Sequence, residues 1–209
     1  MTLIKNKIAQ ALLFTTCTFC SVQASAVLIN FEADTAGAKA NGFSPVGDPL
    51  VTFTDNVGSG LQIGNFGVQG NGNALAVFSD GDGSGVFINF ASDIMNLSLS
   101  FGNDDPNYSN PGDLAWLDLY KNGSLVGHTD VLLNRDDIMN QTIGFNGLNF
   151  DQAFFAYTDG SGNPFTGGTG TNIGLIEIID DINYTVPEPS AMAFIGLGLL
   201  GLGWSRRKA

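Results

Sequence analysis

Cysteine and histidine, on which many active sites depend, are scarce in this sequence. The 2 cysteines, Cys17 and Cys20, lie near the N-terminus, and His128 is the only histidine. If the N-terminal segment is removed as predicted below, the mature chain has neither a disulfide nor a thiol nucleophile. The sequence also has no nucleophile elbow and no phosphate-binding loop. These absences predict a noncatalytic protein, although a pair of Asp carboxylates for glycoside hydrolysis stays open.

Positive charge is also scarce between the two ends of the chain. Of 8 Lys and Arg residues, only Lys39, Lys121 and Arg135 lie within residues 27–186, against 19 of the 20 acidic residues. This span therefore carries about −16 at neutral pH. Because phosphate binding needs clustered cations, nucleic acid is excluded as a partner. Of these acids 17 are Asp, which favours turns and supplies oxygen ligands for calcium.

The N-terminal segment has the composition of a secretory signal peptide. Lys5 and Lys7 precede an apolar stretch at residues 8–19, which predicts a signal helix. Ala24 and Ala26 occupy the small-residue positions of a signal cleavage site. We predict cleavage after Ala26, so that residues 1–26 form the signal peptide.

The C-terminal segment, residues 187–209, combines a proline break, an apolar run and a basic end. The break consists of Pro187, Glu188 and Pro189. Residues 190–204 carry no charge and predict a transmembrane helix. At about 1.5 Å per residue that helix spans roughly 22 Å, which is short for a permanent membrane anchor. The chain then ends in a basic cluster of Arg206, Arg207 and Lys208, which favours the cytoplasmic side.

This order of features resembles the PEP-CTERM sorting signal. The resemblance implies that an exosortase, a membrane cysteine enzyme similar to a transpeptidase, recognises the segment and cuts near Pro187, Glu188 and Pro189. It further implies transient residence in the inner membrane of a Gram-negative bacterium that forms biofilm or makes exopolysaccharide. The processed protein would then lie at the cell surface or in the extracellular matrix.

Between the two signals, residues 27–186 predict one all-β domain, because short apolar or alternating segments are separated by Gly, Asn and Asp turns. The predicted strands cover residues 27–32, 50–54, 74–79, 86–90, 96–101, 114–120, 124–128, 141–145, 153–158 and 173–184. We expect an antiparallel β-sandwich of the jelly-roll kind. Residues 80–85 are expected to turn one hairpin and Asn122-Gly123 another, and residues 134–139 to form a short helix.

Parts of this domain also resemble domains carried by PEP-CTERM proteins and jelly-roll carbohydrate-binding modules. The resemblance lies in residues 29–32, residues 101–105 with 117–123, and residues 178–182. In such modules the first and last strands lie together and hold a structural calcium ion. The resemblance therefore implies Glu32 with Asp180 or Asp181 as calcium ligands. The alternative is that these residues are solvent-facing strand ends.

Two polar loops are further candidates for a binding site. Residues 80–85 match the first half of an EF-hand loop, but Ala91 stands at the twelfth position, so a hairpin turn is favoured. The loop after residue 102 offers oxygens and a ring to a cation or a sugar through Asp104, Asp105, Tyr108 and Asp113. An Asx-rich surface loop is the alternative. Trp116 is expected in the core and His128 at the surface of a strand.

These observations predict an exported, exosortase-processed, noncatalytic β-sandwich at the cell surface or in the exopolysaccharide matrix. A carbohydrate-binding or lectin-like module is the first alternative, and a secreted glycan hydrolase is the second. Exosortase is the expected partner, with exopolysaccharide as a further one and Ca²⁺ as a structural cofactor.

Overall fold

A computed structural model describes residues 25–78, 84–165 and 175–187. Within these residues the chain forms ten β-strands and one 3-10 turn, Gly67–Gln69. The strands are β1 (Ser25–Ile29), β2 (Gly37–Ala38), β3 (Val51–Asp55), β4 (Leu61–Asn65), β5 (Asn73–Val77), β6 (Val86–Gly102), β7 (Leu114–Lys121), β8 (Ser124–Leu132), β9 (Gln141–Thr158) and β10 (Glu177–Val186). Their described pairings are antiparallel. The all-β antiparallel prediction is confirmed, and Ala26–Val186 forms one compact unit.

The strands hydrogen-bond in the order β2-β4-β5-β10-β6-β9-β7-β8, with β1 beside β10 and β3 beside β6. The two long strands, β6 and β9, run through the middle of this network. The first half of β6 pairs with β3 and its second half with β10, while β9 accompanies both halves. Register shifts divide the β6–β9 ladder between residues 89 and 96, where bulges bend the strands. Each of these long strands unites two segments that the sequence analysis predicted as separate strands.

Inward side chains from most strands meet in a single hydrophobic core. Burial alternates along β3 and along most of β7, as expected for strands with one face turned inward. The largest fully buried side chains include Phe31, Phe53, Phe101, Phe150, Phe155 and Tyr157. Since one face of the whole network converges on this cluster, the sheet folds over on itself. This arrangement is consistent with a β-sandwich.

Local predictions had mixed outcomes. The hairpin turn at Asn122-Gly123 is confirmed, because both residues have positive φ (50° and 74°) and connect the paired strands β7 and β8. The predicted hairpin of β5 with β6 is wrong, since β10 lies between them. The predicted helix at residues 134–139 is also wrong. Arg135 and Asp137 both have φ of 61°, which an α-helix does not accommodate.

The two predicted terminal helices cannot be compared with the structure. Across residues 25–78, 84–165 and 175–187, no helix has the length and apolar character needed to cross a membrane. The signal helix and the C-terminal transmembrane helix lie outside these residues, as do most of loop 80–85 and Ala24, Glu188, Pro189, Arg206, Arg207 and Lys208.

Candidate functional site

The end of β1 and the middle of β10 meet at the candidate calcium site. β1 pairs with β10, so the first and last strands are neighbours, as the resemblance implied. Glu32 follows the end of β1, whereas Asp180 and Asp181 lie within β10. The negative charges of Asp181 and Glu32 both act on Asp180. The fold therefore brings together three carboxylates from opposite ends of the domain.

A β-bulge in β10 determines how these side chains are aimed. Asp180 lies opposite Ser100 and Asn183 opposite Ser98, so β10 contains one extra residue between them. Because of the bulge, Ile179 and Ile182 both face the core although they are three positions apart. The extra residue leaves Asp181 with φ of 46°.

The backbone is unusual on the β1 side as well. Phe31, which precedes Glu32, has φ of 54°. The left-handed region is costly for a residue with a Cβ, so two such residues beside one carboxylate cluster mark a constrained site.

The carboxyl group of Asp180 is the most unusual feature of this cluster. Its side chain is fully buried (0% exposed). One oxygen, Oδ1, accepts a hydrogen bond of 2.7 Å from the Asp181 backbone N–H. The other, Oδ2, is buried with no hydrogen-bond partner among the described residues. Burial raises the pKa of Asp180 to about 7, and the neighbouring charges of Asp181 and Glu32 add to the effect.

The loop before β5 covers the cluster and was missed by the sequence analysis. The backbone N–H of Asn73 donates to Glu32 Oε1 at 3.0 Å, and Asn71 Nδ2 donates to Asp181 Oδ2 at 3.0 Å. Between them Gly72 has φ of +86°, and a Cβ at this position would collide with the Glu32 carboxylate. The Asn-Gly-Asn triplet was a recognisable turn signal. What it lacked in the sequence was any sign of its partners.

The chemistry of this donor set fits calcium. Calcium takes six to eight oxygen ligands, including carboxylates, amide oxygens and backbone carbonyls. The orphaned Asp180 Oδ2 and the Glu32 carboxylate are hard oxygen donors of this kind. Within the described part of the chain, however, no three Asp, Glu, His or Cys side chains are grouped as a ready-made metal centre. A calcium ion here would therefore need backbone or amide oxygens in addition.

The second candidate site, in the loop between β6 and β7, divides into inward and outward residues. Asp104 is buried, and its carboxylate accepts hydrogen bonds from the backbone N–H groups of Arg135 and Asp137, the latter at 2.9 Å. Asp113 is also buried and accepts a hydrogen bond of 2.5 Å from the N–H of Asn110. Burial raises the pKa of Asp113. Both carboxylates therefore support the loops themselves.

The other two residues of this set reach the surface. Asp105 is partly exposed, and its Oδ1 accepts a hydrogen bond of 2.7 Å from the N–H of Asn107. Tyr108 is 46% exposed. Binding of a ligand at this loop stays a prediction, in which only Asp105 and Tyr108 are available to a ligand from solvent.

The side chain of Arg135 ties this loop to the segment after β8. Its guanidinium donates to the carbonyl oxygens of Pro106 and Ser109, each at 2.8 Å, and its Nε donates to the Ser109 hydroxyl at 3.1 Å. The sequence analysis noted Arg135 only as a scarce positive charge. The structure gives it a structural role that links two loops.

Trp116 and His128 lie together on the outside of the sheet. Ala115 and Leu117, the neighbours of Trp116, are fully buried, so Trp116 itself faces outward and the core prediction for it is wrong. Its ring centroid lies 3.7 Å from that of His128. His128 is partly exposed within β8, as predicted, and its Nδ1 lies 2.8 Å from Asp118 Oδ1.

Comparison with known protein families gives one match, at the C-terminus. The model of the PEP-CTERM protein-sorting motif matches residues 185–208. The chain thus carries this sorting motif, as its proline break, apolar run and basic end predicted. The motif marks an exported protein. None of the curated proteins is significantly similar to the chain in sequence.

Several solved structures are similar to this chain in fold. The K2 cleaved adhesin domain of Lys-gingipain is 14% identical over 78% of this chain and 100% of that chain, with a TM-score of 0.44. Arabinose-bound MgGH51 α-L-arabinofuranosidase is 16% identical over 78% of this chain but only 27% of that chain, with a TM-score of 0.47. The family 32 carbohydrate-binding module from C. perfringens NanJ, solved with galactose, is 13% identical over 78% of this chain and 100% of that chain, with a TM-score of 0.33.

Proposed function

We propose that the chain is exported, cut by an exosortase near Pro187, Glu188 and Pro189, and delivered as a noncatalytic domain to the cell surface or the exopolysaccharide matrix. The observation that carries this proposal is the position of the sorting motif. The matched residues, 185–208, begin where β10 ends at Val186. A cut at the motif therefore leaves the ten described strands in the delivered part.

The test is processing in a host that has an exosortase, compared with the same host after deletion of the enzyme. We expect a product shortened near residue 187 and found outside the inner membrane in the first host, and an unshortened chain in the second. Mass spectrometry of the purified product gives both new ends, including the predicted N-terminus after Ala26. That cleavage would remove the first two residues of β1, Ser25–Ile29.

A pair of variants makes the test specific to the motif. Changing both Pro187→Ala and Pro189→Ala is expected to abolish the shortened product, whereas Ser190→Ala is expected to leave it unchanged. If the double variant is still cut at the same position, or if deletion of the exosortase has no effect, the proposal is wrong.

We further propose that the delivered domain is a jelly-roll β-sandwich stabilised by one calcium ion at Glu32 and Asp180. The support comes from the buried carboxylate oxygen of Asp180 and from the charges that surround it. A bound cation would compensate the cost of burying this carboxylate in its ionised form. It would also offset the repulsion between Asp180, Asp181 and Glu32.

Thermal unfolding with excess calcium and with chelator tests this second proposal. Calcium at a hundred times its dissociation constant should add roughly 2.7 kcal/mol, which is about 5–10 °C for a domain of this size. Glu32→Gln and Asp180→Asn should each remove most of that shift. Asp130→Asn, which removes an exposed carboxylate on β8, is the control and should retain the shift. A shift that survives in both site variants would place the calcium elsewhere.

A further inference from the structure

One part of the outer surface of the sheet carries rings and polar side chains in two adjacent rows. The first row crosses β6, β9, β7 and β8 through the direct cross-strand neighbours Phe87, Phe154, Asp118 and His128. The second row consists of Asn89, Gln152 and Tyr120. All of these side chains are partly exposed. We term the two rows together the aromatic face.

The core on the other side of the sheet fixes the direction of this face. Ile88, Leu119 and Phe155 alternate with its residues along the three inner strands, and all three are fully buried. Because side chains alternate strictly along a strand, the residues of the aromatic face must point away from the core.

The rings are held in place by contacts with one another. The centroids of Phe87 and Phe154 lie 4.8 Å apart, and those of Phe87 and Tyr120 lie 6.4 Å apart with an interplanar angle of 62°. At the side of the face, the Trp116 ring packs on His128. Gly162 (φ +80°) approaches Trp116 so closely that a Cβ would collide with the ring. The rings thus form a preorganised surface, which lowers the entropic cost of binding a ligand.

Polar groups of the same face are also oriented. Asp118 contacts His128 Nδ1 through Oδ1 at 2.8 Å and accepts the Tyr120 hydroxyl through Oδ2 at 3.3 Å. Gln152 Nε2 donates to Asn89 Oδ1 at 2.7 Å. Each side-chain amide has two N–H donors and a carbonyl oxygen, so these bonds leave capacity for a ligand's hydroxyl groups.

The charge around the face selects against anionic ligands. The nearby cation, Lys121, is paired with Asp93 and with Asp151, the second at 3.0 Å. Asp118 and Asp130 add negative charge in a domain that already carries about −16. A polyanion would be repelled by this surface, whereas an uncharged polymer would not.

The size of the face suits a polymer rather than a single sugar. Neighbouring strands lie about 4.8 Å apart, so a row over four strands extends about 14 Å. Sugar rings in a polysaccharide have an apolar face of C–H groups and a rim of hydroxyl groups. Aromatic side chains beside amides and a carboxylate match both parts of such a ring.

We propose that the aromatic face binds a segment of a neutral polysaccharide. The sugar rings pack on Phe87, Phe154 and Tyr120, and their hydroxyl groups bond to Asp118, Asn89 and Gln152. This proposal deepens the proposed matrix role and rests on it only for access to extracellular glycan. The loop residues Asp105 and Tyr108 do not belong to this face.

Affinity electrophoresis of the full chain in detergent tests the proposal. The probes are three neutral polysaccharides, hydroxyethyl cellulose, xyloglucan and galactomannan, and one anionic polysaccharide, polygalacturonate. We expect retardation by at least one neutral polymer and none by polygalacturonate. Gln152→Ala and Tyr120→Leu should each weaken the binding at least about tenfold, as loss of a central contact does in a small interface.

The control variant is Asn146→Ala, which lies in a separate shallow groove of about 310 Å³ lined by Asn96, Ser98, Thr142, Asn183 and Thr185. It should bind like the unmodified chain, and all variants should keep its thermal midpoint within a few degrees. The proposal is overturned if no neutral polymer retards the chain, if polygalacturonate alone does, or if Asn146→Ala loses binding while the face variants keep it. None of these results depends on exosortase processing, which is measured separately in cells.

Discussion

The Glu32 carboxylate, just after β1, lies close enough to Asp180 in β10 for its negative charge to act on the Asp180 carboxyl group. Burial is the main cause that raises the pKa of Asp180 to about 7, and the charges of Asp181 and Glu32 raise it further. The two ends of the domain are therefore coupled electrostatically at this point. Anything that changes the charge on Asp180 should change the stability of the whole domain.

The pH dependence of stability without calcium follows from this relationship. The folded state holds the Asp180 proton more tightly than the unfolded state, so stability is lost as pH rises from about 4 to about 7. In chelator, Asp180→Asn should match the unmodified protein at about pH 4 and exceed its thermal midpoint by several degrees at pH 8.

In excess calcium the order at pH 8 should reverse, because the variant lacks the carboxylate that the proposed ion would neutralise. Thermal melts of both proteins between pH 4 and pH 8, with chelator and with calcium, give the comparison. Parallel pH profiles of the two proteins in chelator would falsify the titration assigned to Asp180.

Gly72→Ala should disturb the candidate calcium site from its covering loop. The new methyl group needs the space of the Glu32 carboxylate, and the φ of +86° adds backbone strain. Gly42→Ala is a matched control, since Gly42 has φ of +83° but nothing within 4 Å of the added Cβ. We expect both variants to lose about 1–2 kcal/mol from strain, as left-handed residues with a Cβ do. Only Gly72→Ala should also lose the calcium-dependent rise in thermal midpoint.

Arg135→Met should destabilise the domain through the loop that contains Asp104. The change removes hydrogen bonds to Pro106 and Ser109 that no other described side chain makes to those carbonyl oxygens. We expect a loss of about 1–3 kcal/mol in urea unfolding, the usual cost of leaving polar groups without a partner. Lys39→Met removes a positive charge elsewhere and should cost less than about 1 kcal/mol. Equal losses in the two variants would show that charge, and not the loop contacts, is responsible.

Tyr184→Phe should weaken the contact between β10 and the segment before β3. The Tyr184 hydroxyl donates to Asp48 Oδ2, and both residues are buried. Burial raises the pKa of Tyr184, and the hydrogen bond and charge of Asp48 add to this. Removing the hydroxyl leaves a buried carboxylate oxygen without its donor, which costs about 1–3 kcal/mol. Tyr108→Phe, at an exposed position, should leave the urea midpoint unchanged; a similar loss there would contradict the assignment.

Local patterns predicted those parts of the fold that depend on neighbours in sequence. The alternation of Leu97, Leu99 and Phe101 gave the inward face of β6, and Asn122-Gly123 gave the β7–β8 hairpin. The hairpin predicted across residues 80–85 failed because its two strands are separated by β10, which comes a hundred residues later in the chain. No local pattern carries information about such an insertion.

The candidate sites divide in the same way. Glu32, Asp180 and Asp181 could be named because a family resemblance placed the first and last strands together. Asn71, Gly72 and Asn73 could not, since their contacts to those carboxylates exist only after β5 has packed beside β10. Trp116 was assigned to the core because its apolar neighbours suggested burial. The pairing of β7 with β8 and β9 turned it outward.

The sequence by itself determined the class of the domain, its acidic character and its sorting address. A sorting signal is recognised as a linear segment, so composition and order along residues 185–208 are sufficient to identify it. The tertiary structure alone decided that Asp180 is buried beside Glu32, and that Phe87, Phe154, Tyr120 and Asp118 share one face. The physical reason is that strand pairing joins residues far apart in sequence through backbone hydrogen bonds, which leave no trace in local residue patterns.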